Sequence, residues 1–178
     1  MNEAIVQSNR NGGDPDVVLR LEDVGQVSLA KLLGAYGLRI ITVAPDEEIP
    51  GSFWGDEEAG LINDELIARA DTPLHSILHE TCHYICMDKA RREAMHTDAG
   101  GDYDEENAVC YLQVLLADHV NDFGRDRMFK DMDRWGYSFR LGSARAWFER
   151  DAEDALAWLV RHNLVTRQQL PCWTLREN

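Results

Sequence analysis

Three histidines recur at every fourth position of the segment DTPLHSILHETCHYICMD (71–88): His75, His79 and His83, with Glu80 directly after the middle one. On a helix, the H-E-x-x-H spacing puts His79 and His83 one turn apart on one face, about 6 Å along the axis. Both imidazoles can then reach one zinc ion at about 2.1 Å, and the intervening glutamate can accept a proton from a zinc-activated water. The spacing therefore predicts that His79 and His83 bind a metal and that Glu80 is a general base.

His75 is too far from His83 to share that metal as a ligand. The two are eight residues apart, which is about 12 Å along a helix axis. Two roles stay open for His75. It lines a cleft one turn above the metal, where it binds substrate or steadies a developing oxyanion, or it is a partly exposed histidine of the first helical turn.

A catalytic zinc site needs a third protein ligand and one open position. The downstream residues that could supply this ligand are Asp102, Asp104, Glu105, Glu106, Asp118 and His119. In DEENAVCYLQVLLADH (104–119) the apolar residues form one stripe of a helix. At about 100° per residue, Glu105 points into the middle of that stripe and Glu106 points about 100° away. Helical phase therefore predicts Glu105 as the carboxylate that faces the H-E-x-x-H helix.

The elements that must position these residues indicate an α+β fold with a small N-terminal sheet and a helical C-terminal half. The sheet side comprises a helix in SLAKLLGAYGL (28–38), a strand in LRIITVAP (38–45) and a hairpin in GLINDELIARAD (60–71). After Thr72 the pattern is helical, with predicted helices from there to about Ala94 and near 104–119, 125–134, 144–148 and 152–162. Residues 1–16 are predicted to be a flexible polar tail and residues 17–178 a single domain.

The segment PGSFWGDEEAGLI (50–62) comes shortly before the H-E-x-x-H helix. Part of it is predicted to form an edge strand that borders the cleft, where an extended substrate adds by backbone pairing and Phe53 and Trp54 contact its side chains. The alternative is a packed turn with both aromatic residues in the core. The residue that stabilises the oxyanion stays open among His75, Tyr103, Tyr111 and Tyr137, and Tyr103 is also a candidate for contact with the substrate.

Composition restricts the partners. The chain of 178 residues has a net charge of −14, and a field of that sign repels phosphate backbones and anionic membranes. We therefore expect neither nucleic acid nor a membrane as a partner, and no segment approaches the roughly 20 apolar residues of a membrane span. Four cysteines without an export signal are typical of reduced thiols in the cytoplasm. The oligomeric state is not predicted.

HETCH (79–83), followed by EENAVCYLQVLL (105–116), resembles the gluzincin pattern of H-E-x-x-H and then E-x-x-A on a second helix. The ImmA/IrrE-like small metallopeptidases are the most similar family, over roughly residues 28–120. The resemblance implies a zincin-like fold and a zinc ion bound by His79, His83 and Glu105, with Glu80 as the general base. Three features depart from the family: Ala108–Val109 stands where Ala-Asn is usual, Cys82 lies between the histidines, and no helix-turn-helix segment is apparent.

The sequence therefore predicts a zinc metallopeptidase that hydrolyses peptide bonds of a polypeptide substrate. Glu80 takes a proton from the water and passes it to the leaving amine. Two alternatives belong to other classes: a catalytically silent metal-binding regulator or adaptor, and a toxin or effector protease that a partner activates.

Overall fold

Three strands and seven helices make up the part of the chain that the computed structural model describes, which is residues 17–52, 57–94 and 100–178. In chain order they are α1 (Gln26–Ala35), β1 (Arg39–Thr42), β2 (Gly60–Ile62), β3 (Glu65–Ala68), α2 (Leu74–Cys86), α3 (Lys89–Ala94), α4 (Tyr103–Ala117), α5 (Gly124–Trp135), α6 (Ala144–Arg150) and α7 (Glu153–Arg161). This small sheet with a mostly helical C-terminal half confirms the predicted α+β class. The predicted tail, residues 1–16, lies outside the described residues. None of the described helices is long and apolar enough to cross a membrane.

The sheet has the strand order β1-β3-β2, with β1 parallel and β2 antiparallel to β3. The β2–β3 hairpin turns at Asn63, whose φ of 54° is a left-handed conformation that asparagine tolerates. This confirms the predicted hairpin. Residues 50–52 pack directly on the start of β2, because a Cβ at Gly60 would collide with the carbonyl oxygen of Pro50. The beginning of this edge strand is therefore covered by the preceding loop.

Helix α2 packs against β2, β3, α4 and α5. Its apolar side chains, including Leu74, Ile77, Leu78 and Ile85, are fully buried, so tertiary packing stabilises the helix from several sides. The predicted continuation of this helix to Ala94 is wrong. Met87 has an extended backbone (φ −65°, ψ 146°), and the chain starts a new helix, α3, at Lys89.

The break after α2 has a local cause. The Asp88 carboxylate accepts a hydrogen bond from the Arg91 backbone N–H at 2.9 Å, as an N-terminal capping residue does. The guanidinium of Arg92 donates to the carbonyl oxygens of Tyr84 and Met87, at 2.9 and 2.7 Å. One side chain thus starts α3 while another satisfies carbonyl groups that the end of α2 leaves free.

Helix α4 is the central partner of α2 and also contacts α5 and α7. It begins at an N-cap, Asp102, whose carboxylate accepts from the Glu105 backbone N–H at 2.9 Å. Eleven of its fifteen residues are buried. Because α4 crosses beside α2, its first turns bring acidic side chains to the H-E-x-x-H segment.

Candidate metal centre

Helix α2 is buried except at two adjacent residues. Eleven of its thirteen residues are buried, whereas His79 and Glu80 are partly exposed. His83, one turn after His79, is buried beside it. An otherwise buried helix is thus accessible at the imidazole of His79 and the carboxylate of Glu80, two residues of the H-E-x-x-H segment.

The two imidazoles converge with a carboxylate from α4. Nε2 of His79 lies 3.1 Å from Nε2 of His83 and 3.3 Å from one oxygen of Glu106. The other Glu106 oxygen lies 3.4 Å from Nε2 of His83. Atoms that bind a tetrahedral zinc ion at about 2.1 Å are separated by about 3.4 Å from one another. The three side chains stand at that separation and form a group that could hold a metal ion.

The structure corrects the predicted third ligand: Glu106, and not Glu105, lies beside the histidines. Glu105 is only 3% exposed, as its helical phase predicts, but its carboxylate is held by two arginines. It accepts hydrogen bonds from Arg91 at 2.8 and 2.9 Å and from Arg176 at 2.9 Å. The face of α4 that carries Glu105 therefore points toward α3 and the C-terminal segment, and the neighbouring face points toward α2.

Glu80 lies beside this group and is not part of it. Burial raises the pKa of its carboxyl to about 7; the His79 ring opposes this rise, and the carboxylates of Glu58 and Glu106 reinforce it. Burial also lowers the pKa of His83 well below its ordinary value, so that this imidazole is neutral and can offer a lone pair. The group that could hold a metal ion thus lies beside a carboxyl group whose pKa burial raises toward neutral pH.

Gln113 contacts the site and was missed by sequence analysis. Its Oε1 lies 2.8 Å from Nδ1 of His79, on the side of the ring away from Glu106, and its side chain is fully buried. Gln113 follows Glu106 by seven residues, two helical turns, so both project from one face of α4. The available signal was a lone amide within the apolar run CYLQVLL (110–116), because a buried polar group needs a partner.

Glu58 lies close enough to His79 and Glu80 to interact with them electrostatically, and it was also missed. It accepts a hydrogen bond from Nε1 of Trp135 at 2.9 Å, and burial raises the pKa of its carboxyl. The loop that carries it is fixed to α2 because the Ala59 backbone N–H donates to the Ser76 hydroxyl at 2.9 Å. No spacing in the sequence relates Glu58 to the H-E-x-x-H segment.

His75 does not reach the metal group, in agreement with the prediction, but it is buried and not partly exposed. Its ring packs against those of Trp135 and Tyr137, with centroids 4.8 and 5.7 Å away. Among the described residues, neither of its ring nitrogens has a hydrogen-bond partner. His75 therefore lies behind aromatic side chains at the side of the site, where a substrate does not contact it directly in this conformation.

The tyrosines predicted near the cleft lie at different places. The Tyr137 ring lies 6.0 Å from that of His79, close to the site. Tyr111 stacks on Phe148 at 4.3 Å, within the core. Tyr103 is 71% exposed at the start of α4. Trp54 and Phe53 lie outside the described residues.

Comparison of the chain with protein-family models, with curated proteins and with solved structures found no match.

The thiols near the site do not join the metal group. Cys82, Cys86 and Cys110 are free and buried, and burial raises the pKa of each thiol well above its ordinary value. A cysteine binds metal as a thiolate, which these surroundings disfavour. Nitrogen and oxygen atoms thus remain the ligands that the site offers.

Proposed function

We propose that the protein is a zinc-dependent peptidase, with His79, His83 and Glu106 as metal ligands and Glu80 as the general base. One observation carries the proposal. Two imidazole nitrogens and a carboxylate converge at separations of 3.1 to 3.4 Å, directly beside a glutamate that is not part of the group. His83 is buried, and a cation bound by this group would give its imidazole a strong partner.

Zinc is the metal that suits this donor set. Two neutral imidazoles and one carboxylate are ligands that zinc prefers, and three protein ligands leave one position for water or substrate, as in catalytic zinc sites. The Glu106 side chain is 43% exposed, so the open side of the group faces the cleft. A structural zinc site would have four protein ligands and would be closed.

Zinc bound there would polarise a scissile carbonyl group and acidify water, which is the Lewis-acid chemistry of hydrolytic metalloenzymes. Glu80 supplies the acid–base function. Its carboxylate takes the proton of the attacking water and returns it to the nitrogen of the leaving amine. Burial raises the pKa of Glu80 above that of an ordinary carboxyl group, which makes its carboxylate a stronger base for the first of these proton transfers.

The class of peptidase follows from the third ligand. H-E-x-x-H on one helix, with a glutamate ligand from the next long helix, is the arrangement of gluzincins, so we assign the chain a zincin-like fold of that type. With Glu106 as the ligand, the residue three positions later is Val109, where the E-x-x-A motif has alanine. A polypeptide is the proposed substrate class.

The test is cleavage of a peptide library by zinc-loaded protein, with Glu80→Gln as the matched variant. Glutamine keeps the shape of the side chain but cannot take a proton, so zinc content and fold should stay the same. Turnover should fall by a factor of about 10² or more, the usual scale for loss of a general base. Cleavage is followed by mass spectrometry, and zinc content is measured in the same samples.

Equal cleavage by the wild type and Glu80→Gln would contradict the proposed mechanism. Zinc binding by a wild type that cleaves no peptide would contradict the proposed activity and favour the silent-regulator alternative. Cleavage that appears only after a partner protein is added would favour the partner-activated protease.

A further inference from the structure

We infer that Gln113 is a positioning residue that holds the proton of the His79 ring on Nδ1 and so directs the lone pair of Nε2 to the metal. The inference rests on the proposed metal site. It assigns a role to a residue outside the set of ligands and base. The proposed role of Gln113 is to select one of the two tautomers that a neutral imidazole can adopt.

The first observation is geometric. The Oε1 atom of Gln113 lies 2.8 Å from Nδ1 of His79, while Nε2 of the same ring faces His83 and Glu106. An amide oxygen only accepts hydrogen bonds, so the imidazole must donate from Nδ1. A neutral ring that is protonated at Nδ1 has its lone pair at Nε2, on the side of the other two ligands.

The second observation concerns the orientation of the amide. Its Nε2 end lies 3.8 Å from the sulfur of Met128. A rotated amide would put two N–H donors at His79 Nδ1 and the oxygen at the methionine sulfur, which has no proton to donate. The surroundings therefore favour the oxygen facing His79. Gln113 is fully buried, so water does not compete for these hydrogen bonds.

The third observation is the contrast with His83. Its Nδ1 is buried and has no hydrogen-bond partner among the described residues, and its Nε2 lies 3.1 Å from Nε2 of His79. Among the described residues, His79 is therefore the one ring of the two whose Nδ1 has a partner that can fix its tautomer. With Nδ1 of His79 protonated, a hydrogen bond across the 3.1 Å contact would be donated by Nε2 of His83.

A purely structural role would be the alternative, in which Gln113 merely satisfies its own polar atoms inside the core. The two accounts differ in what they predict for the ring. A structural role affects stability, whereas a positioning role changes the protonated nitrogen of His79. Partners of this kind that orient a metal-binding histidine are worth about 10- to 100-fold in metal affinity.

The experiment is nitrogen-15 NMR of the histidine rings in the metal-free full-length protein, combined with zinc titration. The wild type should show His79 protonated at Nδ1 and His83 protonated at Nε2. Gln113→Met, similar in size but without an acceptor, should lose the Nδ1 preference of His79 and bind zinc 10- to 100-fold more weakly. Gln113→Glu retains an acceptor, so it should keep the Nδ1 tautomer. Met128→Leu, which removes the other contact of the amide, should leave the His79 tautomer unchanged.

A wild-type His79 that is protonated at Nε2 overturns the inference without any variant. So does a Gln113→Met protein whose His79 tautomer and zinc affinity match the wild type. If Gln113→Met does not fold, loss of the Nδ1 tautomer in Gln113→Glu contradicts the inference and its retention supports it. A wild type with the expected tautomers that binds no zinc would contradict the proposed function and leave the tautomer assignment standing.

Discussion

His75 is a buried residue of the site whose chemistry is separate from metal binding. Burial, assisted by electrostatic interactions with His79 and Arg20, lowers the pKa of its ring to about 3 from an ordinary 6.5. The ring is therefore neutral in the folded protein, packed between Trp135 and Tyr137. A buried neutral histidine makes the free energy of unfolding sensitive to acid, because its ring takes up a proton only when the chain unfolds.

The corresponding prediction is a pH dependence of stability. Below pH 6.5 the unfolded chain gains a proton that folded His75 does not take up, so the free energy of unfolding falls as the pH falls. His75 should account for a loss of about 2 kcal/mol between pH 7 and pH 5, at about 1.4 kcal/mol per pH unit. Urea unfolding of chelator-treated wild type and His75→Leu at both pH values measures this.

His83 has the same sign of effect, whereas Glu80, with its raised pKa, has the opposite sign, and both remain in that variant. The quantity to compare is therefore the difference in slope between His75→Leu and the wild type. His119→Gln, at an exposed position, is the control and should keep the wild-type slope. An identical pH dependence in His75→Leu and the wild type would show that His75 is not held neutral by burial.

At the level of single residues, burial could be predicted from the sequence and the partner could not. Helical phase correctly predicted a buried Glu105, and a buried charge must be paired or bound to metal. The helical phase could not tell whether the Glu105 carboxylate is paired with another charge or bound to a metal. The arginine that decides the case, Arg176, is 71 residues further along the chain. Gln113 was missed for the same reason, since its partner His79 lies on another helix.

At the level of elements, the C-terminal segment joins the ends of α2 and α4. The Arg176 backbone N–H donates to the carbonyl oxygen of Ile85 at 3.0 Å. Its guanidinium donates to the carbonyl oxygen of Cys86 at 3.1 Å. The same guanidinium reaches Glu105, which also binds Arg91. Glu105 is thus the point at which α3, α4 and the C-terminal segment are held together, about one turn from the metal group.

Glu105→Gln tests this junction. The substitution removes a buried charge that two arginines share, so the free energy of unfolding should fall by about 1–3 kcal/mol. Glu106→Gln is the matched control on the next residue, and its partly exposed side chain makes no such junction. Urea unfolding of the chelator-treated proteins should therefore show a loss in the first variant and little change in the second. Equal losses would indicate that the junction contributes nothing beyond ordinary helix-end electrostatics.

For the whole molecule, local signals predicted the elements and long-range packing determined the site. The H-E-x-x-H spacing predicted that His79 and His83 lie together on one face of α2, and Asn63–Asp64 predicted the hairpin. The parallel pairing of β1 with β3, the break after Cys86 and the approach of Glu106 to α2 depend on contacts distant in sequence. A single sequence records each residue of the site but not the crossing of helices that brings α4 beside α2.

Zinc content of purified protein tests the central claim most directly. Chelator-treated samples are reloaded with zinc, freed of excess metal and analysed by mass spectrometry for zinc per chain. The account predicts about one zinc per chain in the wild type, Glu105→Gln and His75→Ala, as expected for one site with three ligands. His79→Ala, His83→Ala and Glu106→Gln should lose most of it. A wild type without zinc, or zinc that is kept in Glu106→Gln and lost in Glu105→Gln, would contradict the account.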